Sequence, residues 1–112
     1  MDRKIGLLDS DTAFTERLQR AFEEQYENDF SFSLFSTAEQ AVLAAEKLNL
    51  QLLLVEEAVT LPQPVSCPVL LLSKQRGADY ETTGTPYRRI CKYKSVSDWY
   101  ALFCAYLPAE AP

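Results

Sequence analysis

The sequence has no histidine, and only three glycines, one tryptophan and one methionine in 112 residues. Without histidine, imidazole acid–base chemistry, nucleophile–histidine pairs and phosphohistidine transfer within the chain are excluded. Gly6, Gly77 and Gly84 stand too far apart to form a phosphate-cradling loop, which disfavours a nucleotide or dinucleotide site. Cys67, Cys91 and Cys104 are odd in number and lack the close spacing of a zinc or redox motif, so buried free thiols are expected. Long hydrophobic runs are also missing. The first apolar stretch, residues 5–8, is far shorter than a signal-peptide core or a membrane span, and a cytoplasmic protein without direct membrane insertion is expected. Positive charge is scarce as well. A net charge of −5 argues against a nucleic-acid partner, and Arg88, Arg89, Lys92 and Lys94, the nearest approach to a basic patch, are confined to one expected strand.

With 47% hydrophobic and 24% charged residues, the chain has the make-up of one ordinary globular domain. Strand and helix patterns alternate along it. After the apolar run 5–8, Asp11 is the expected N-cap of a helix whose stripe is Phe14, Leu18, Ala21 and Phe22. Residues 30–35 alternate like a strand with one wet face. Ser36 and Glu39 match a capping box that starts a second helix running to about Leu48. Residues 50–55, but for Gln51, and residues 69–72 are apolar throughout, as buried parallel strands are. Pro62, Pro64 and Pro68 between them leave room only for a short or missing helix. Residues 74–86 are polar and aperiodic and predict a loop, residues 87–93 a fifth strand, and residues 95–107 a final helix. The domain is expected to span 1–107, with 108–112, rich in proline and alanine, as the start of an interdomain linker. The alternation implies an α/β fold with a parallel sheet and right-handed crossovers.

Three apolar runs and the fifth expected strand each end in a polar residue: Asp9, Glu56, Ser73 and Lys94. The carboxyl ends of parallel strands are where an open α/β sheet gathers its functional groups, so these four side chains are expected to share a pocket. A Glu56–Lys94 ion pair is the contact expected within it.

From Lys4 to Leu107 the chain resembles the receiver domain of two-component response regulators. The resemblance implies a flavodoxin-like, doubly wound sheet of five parallel strands in the order 2-1-3-4-5, here with reduced third and fourth helices. It also implies that Asp9, Ser10 and Asp11 lie at the family's metal-binding acids, Glu56 at the phosphoryl-accepting aspartate, Ser73 at its hydroxyl and Lys94 at its lysine. Lys92 is the alternative by a two-residue slip on the same strand face. The departures bear on function. Ser10 replaces a metal-ligating carboxylate, which removes a formal charge from a site meant for a hard divalent cation. Glu56 is one methylene longer than aspartate, and a misplacement of about 1 Å can cost on the order of 100-fold in an in-line transfer. Counted from Lys94, the family's aromatic switch position is Cys91. A non-catalytic, atypical receiver that binds no cofactor or metal is therefore expected, with a phosphorylation-competent or stand-alone receiver as the alternative. The short fourth helix, the 90–94 segment and the proline–alanine tail resemble the N-terminal receivers of the TadZ/CpaE pilus-assembly proteins, whose ParA/MinD-type ATPase domain would follow.

The final helix is expected to supply the interface. Val96, Trp99, Tyr100, Leu102, Phe103, Tyr106 and Leu107 span roughly 160° of its surface, more than the stripe of about 100° that one core contact needs. Trp99, Tyr100 and Tyr106 are the candidates for contact with a protein partner, a second copy or a downstream domain.

Overall fold

In the computed structural model, residues 3–26, 30–62, 65–74, 80–81 and 88–106 are described. Strand β1 (Arg3–Leu8) leads into helix α1 (Thr12–Gln25), and β2 (Phe30–Leu34) into α2 (Ala38–Lys47). Strands β3 (Leu52–Glu56), β4 (Val69–Ser73), β5 (Tyr80–Glu81) and β6 (Arg88–Cys91) follow, and α3 (Val96–Tyr106) closes the domain. The sheet runs β2-β1-β3-β4-β6-β5, with every pairing parallel except β5 with β6. The five parallel strands thus take the order 2-1-3-4-5 of a flavodoxin-like α/β fold. The antiparallel β5 lies inside the stretch expected to be loop, since a two-residue strand leaves no periodicity to read.

Each helix begins where a side chain can satisfy its free amides. The Asp11 carboxylate accepts from Phe14 N at 3.1 Å and caps α1. At α2 the cap is Thr37, one residue beyond the expected Ser36. Thr37 Oγ1 accepts from Gln40 N at 3.2 Å, while Gln40 Oε1 accepts from Ser36 N at 3.0 Å. Glutamine thus fills the reciprocal role expected of Glu39. The other end of α2 turns on Asn49, whose φ of 54° is left-handed, and Leu50 N closes the turn by donating to Ala45 O at 3.3 Å.

The alternation of side chains along the strands sorts the core into two layers. Ile5, Leu7, Leu52, Leu54, Leu70, Leu72 and Ile90 face α1 and α3 and pack with Phe14, Leu18, Phe22, Trp99 and Phe103. Leu8, Leu53, Val55 and Val69 face the other way, under Ala41 and Ala45 of α2. The link between β3 and β4 shows no helix among its described residues. Val59, Leu61, Val65 and Cys67 pack in this layer instead. Cys67 and Cys91 are buried as expected, and burial pushes the Cys67 thiol up; Cys104 is exposed on α3, which corrects the expectation for that residue.

Gly6 marks the tightest point of the second layer. A Cβ there would stand 2.8 Å from Leu53 Cδ1 and Phe35 Cε2 and 2.9 Å from Leu50 Cδ1. Each neighbour is a side-chain tip, but three of them close on one point and all must shift to admit a methyl group. Gly6→Ala is expected to destabilise the domain by about 1–3 kcal/mol despite alanine's smaller backbone entropy cost. Urea denaturation with an unchanged m value checks it, and a midpoint at or above that of the wild type would mean the layer accommodates the methyl group.

Candidate functional site

The site lies where β1, β3, β4 and β6 end, and its order comes from the turn between β1 and α1. Asp9 and Asp11 each use both carboxylate oxygens. Asp9 Oδ1 accepts from Asp11 N at 2.8 Å, which folds the turn, and Asp9 Oδ2 accepts from Lys92 Nζ at 3.0 Å. Asp11 caps α1 through Oδ1 and faces Lys92 Nζ through Oδ2 at 3.4 Å. The ammonium also stands 4.6 Å from the centroid of the Phe14 ring. One lysine thus bridges two carboxylates across an apolar floor.

The bridge is dry at its centre. The side chains of Lys92 and Asp9 are 2% and 1% exposed, whereas that of Asp11 is 38% exposed. Burial by itself disfavours the Lys92 charge, but the hydrogen bond and attraction of Asp9, with Asp11 behind them, outweigh it and hold the ammonium above its ordinary pKa. The carboxyl of Asp11 is held below its ordinary value, first by the N–H of Phe14 and then, against some desolvation, by Lys92 and Arg17.

The pocket lysine is therefore Lys92, and the expected placement of Lys94 with Glu56 is corrected. The last ladder bond of β6 runs from Lys92 N to Ser73 O at 2.8 Å, so Lys92 is the final residue fixed by the sheet. Its side chain shares the face of Ile90, Leu72 and the helix α1 layer. Lys94 lies beyond, half-buried in the link to α3. The residue three before Lys92 is Arg89, where the count from Lys94 gives Cys91.

Glu56 pairs with Ser10 instead. Ser10 N donates to Oε1 at 3.2 Å and Ser10 Oγ to Oε2 at 3.1 Å, a two-point clasp between the β1 turn and the end of β3. Serine can make this clasp because it donates, where a carboxylate at position 10 would repel Glu56. Ser73 is fully buried, and its hydroxyl reaches Glu57 Oε1 at 3.5 Å. The other oxygen of Glu57 stands 3.2 Å from Arg89 Nε. Sequence reasoning missed Glu57 and Arg89. The Glu56–Glu57 doublet at a strand end was the available signal, since alternation sends its two members to opposite faces.

These donors do not fit a divalent cation. Both oxygens of Asp9 and both of Asp11 already accept hydrogen bonds or face the Lys92 ammonium, and Ser10 brings a hydroxyl committed to Glu56. Among the described residues, no group of three or more histidine, cysteine, aspartate or glutamate side chains is arranged to hold a metal. A cleft of about 220 Å³ remains above the site, walled by Asp9, Glu56, Glu57, Lys74 and Lys92.

The interface candidates divide. Trp99 is 1% exposed and belongs to the core, which corrects its assignment to a surface. Tyr100 is half-buried, stacked on Tyr26 with centroids 4.1 Å apart and planes at 16°. Tyr106 is half-buried and accepts from Arg88 at 3.2 Å. Leu107 and the expected linker at 108–112 lie outside the described residues.

The sheet order makes this a flavodoxin-like α/β domain, consistent with a receiver-like fold. Comparison with protein families finds no family model that matches the chain, and comparison with curated proteins finds no match. No helix among the described residues is long and apolar enough to cross a membrane.

Proposed function

We propose that the domain is a non-catalytic, receiver-like module that works through protein contacts, as a recruitment or localisation element. The observation that carries this reading is the Lys92 ammonium held between Asp9 and Asp11. An internal cation takes the place that an exchangeable metal would need, and the clasp of Ser10 on Glu56 ties down the carboxylate at the acceptor position. Phosphoryl transfer depends on positioned metal and nucleophile, and here the acids are engaged by Lys92 and Glu56 by Ser10. The narrower form of the proposal is the receiver of a TadZ/CpaE-like pilus-assembly protein acting in the cytoplasm, with a ParA/MinD-type ATPase domain or a second copy as partner. It is supported by the resemblance of the segment Ile90-Cys91-Lys92-Tyr93-Lys94 and of the proline–alanine composition of residues 108–112 to those proteins.

Incubation with acetyl phosphate and magnesium, followed by intact-mass measurement, tests the reading. The mass is expected to stay unchanged. A stoichiometric gain of one phosphoryl group on Glu56, Asp9 or Asp11 would establish the alternative, a phosphorylation-competent receiver.

A further inference from the structure

The two edges of the sheet differ. β5 closes one of them as a strand of 2 residues. The other is β2, and among the described residues no strand pairs with its outer side. An open edge presents a row of amides and carbonyls on which another chain can pair, and edge strands are ordinarily blunted by lysine, proline, a bulge or brevity. β2 has none of these devices. Residues 30–38 carry no charge and no proline, the 5-residue strand is of ordinary length, and its register on β1 runs unbroken from Arg3 and Phe30 to Leu7 and Leu34.

The ladder assigns the open groups. Phe35 N donates to Leu7 O at 2.9 Å, so Phe35, and by alternation Ser33 and Ser31, turn their backbone groups toward β1. Phe32 and Leu34 therefore turn theirs outward. The side chains of these two share the α1–α3 face of the sheet, where the Phe32 ring packs on Phe22 and Phe103 while Leu34 is left 48% exposed. A second copy of the same strand fits this edge. In an antiparallel pair about a twofold axis through Ser33, Phe32 lies opposite Leu34 of the second copy and Leu34 opposite its Phe32. The outward amides and carbonyls of both residues are then satisfied, and each exposed leucine is covered by a phenylalanine. Ser33 faces its own copy on the other side of the sheet. Charge favours the same occupant. Two chains of net charge −5 can meet along residues 30–38 without setting acid against acid, whereas a charged peptide finds no partner for its charges on this strand.

We infer that the outer edge of β2 is a self-association surface, at which two copies pair antiparallel through Phe32 and Leu34 and join their sheets. The inference rests on the reading of the domain as a contact module and gives its second-copy partner a surface. The residues that bridge Lys92 and clasp Glu56 take no part in the pairing. A monomeric protein would thus leave the acetyl phosphate result untouched, and a phosphoryl gain would leave the dimer standing.

Sedimentation equilibrium up to about 1 mM protein is expected to show monomer and dimer in exchange, with a Kd on the order of 100 µM, because a single-strand contact is small beside a stable interface. Added salt should tighten the dimer, since it screens the repulsion between two acidic chains. Leu34→Lys places a charge at an exposed edge position and should weaken association by at least about tenfold while the circular-dichroism spectrum stays unchanged. Cysteine cross-linking reads the register in a Cys104→Ser background, in which the remaining thiols, Cys67 and Cys91, are buried. Oxidised Ser33→Cys is expected to form a disulfide dimer, since a non-hydrogen-bonded antiparallel pair sets its Cα atoms about 4.5 Å apart. Ser31→Cys, opposite Phe35 of the second copy, should stay uncrosslinked. A wild type that is monomeric at about 1 mM, an undiminished dimer in Leu34→Lys, or equal cross-linking at positions 31 and 33 overturns the assignment.

Discussion

Lys92→Ala is expected to destabilise the domain by about 3–5 kcal/mol, because it strands the Asp9 carboxylate in a nearly dry site with its partner gone. No discount for solvent screening applies, since the two side chains are 2% and 1% exposed and 3.0 Å apart. The cost belongs to breaking the pair rather than to the pair's net worth. The double variant Asp9→Asn with Lys92→Met keeps an oxygen for Asp11 N, removes both buried charges, and is expected to recover most of the loss. Lys94→Ala, past the last ladder bond, should cost no more than about 1 kcal/mol. The raised pKa of Lys92 gives the same bridge a pH signature. Its contribution is complete below the ordinary lysine value of 10.5 and is lost as pH rises from there through the higher folded-state value. The lowered Asp11 works in the opposite sense, contributing above its ordinary 3.8 and fading as pH falls through the lower folded-state value. Chemical denaturation of the three variants, with the wild type followed into alkali, tests the assignment. Equal losses for Lys92→Ala and Lys94→Ala would mean that the ammonium is not held between Asp9 and Asp11.

The sequence carries the architecture better than it carries the site, and particular residues show why. Uniformly apolar runs such as Leu52 to Val55 have one physical solution, a strand covered on both faces, and the structure buries all four side chains. Asp11 before an amphipathic stripe likewise has one solution as a cap. Lys92 and Lys94 are different: they share strand parity, so alternation cannot separate them, and only the place where the ladder stops does so. Glu56 and Ser10 are distant in the chain, and nothing local says that a serine at the metal-ligand position would fasten the neighbouring carboxylate. The cap of α2 slid by one residue because Ser36 and Thr37 are chemically equivalent caps, and the choice between them depends on the register of the helix on the sheet. Trp99 was misplaced for a related reason. A wide aromatic stripe on α3 gives the angle it covers, but it does not say how far α1 and β2 reach around the helix to meet it.

Trp99 decides that last point by experiment. Its ring packs against Phe14 with centroids 6.3 Å apart and against Phe103 at 5.6 Å, and Phe103 continues the cluster to Phe22, Phe30 and Phe32. The stripe is wide because this face of α3 meets both the sheet and α1. Removing the indole withdraws the largest fully buried side chain of the domain, so Trp99→Ala is expected to cost about 3–5 kcal/mol. Trp99→Glu adds an unpaired charge to the same void and should abolish folding in a domain of ordinary stability, about 5–15 kcal/mol. Tyr100→Glu gives the contrast. Tyr100 lies at the edge of the cluster, half-buried against Tyr26, so the lost stacking should cost about 1 kcal/mol and leave a folded protein. A protein contact through α3 must then centre on the exposed margin around Tyr100 and Tyr106, and Tyr100→Glu is the variant in which loss of association can be read without loss of fold. Circular dichroism and urea denaturation of the three variants settle the assignment. A Trp99→Glu protein with the wild-type spectrum and midpoint would place the indole at the surface and return it to the interface.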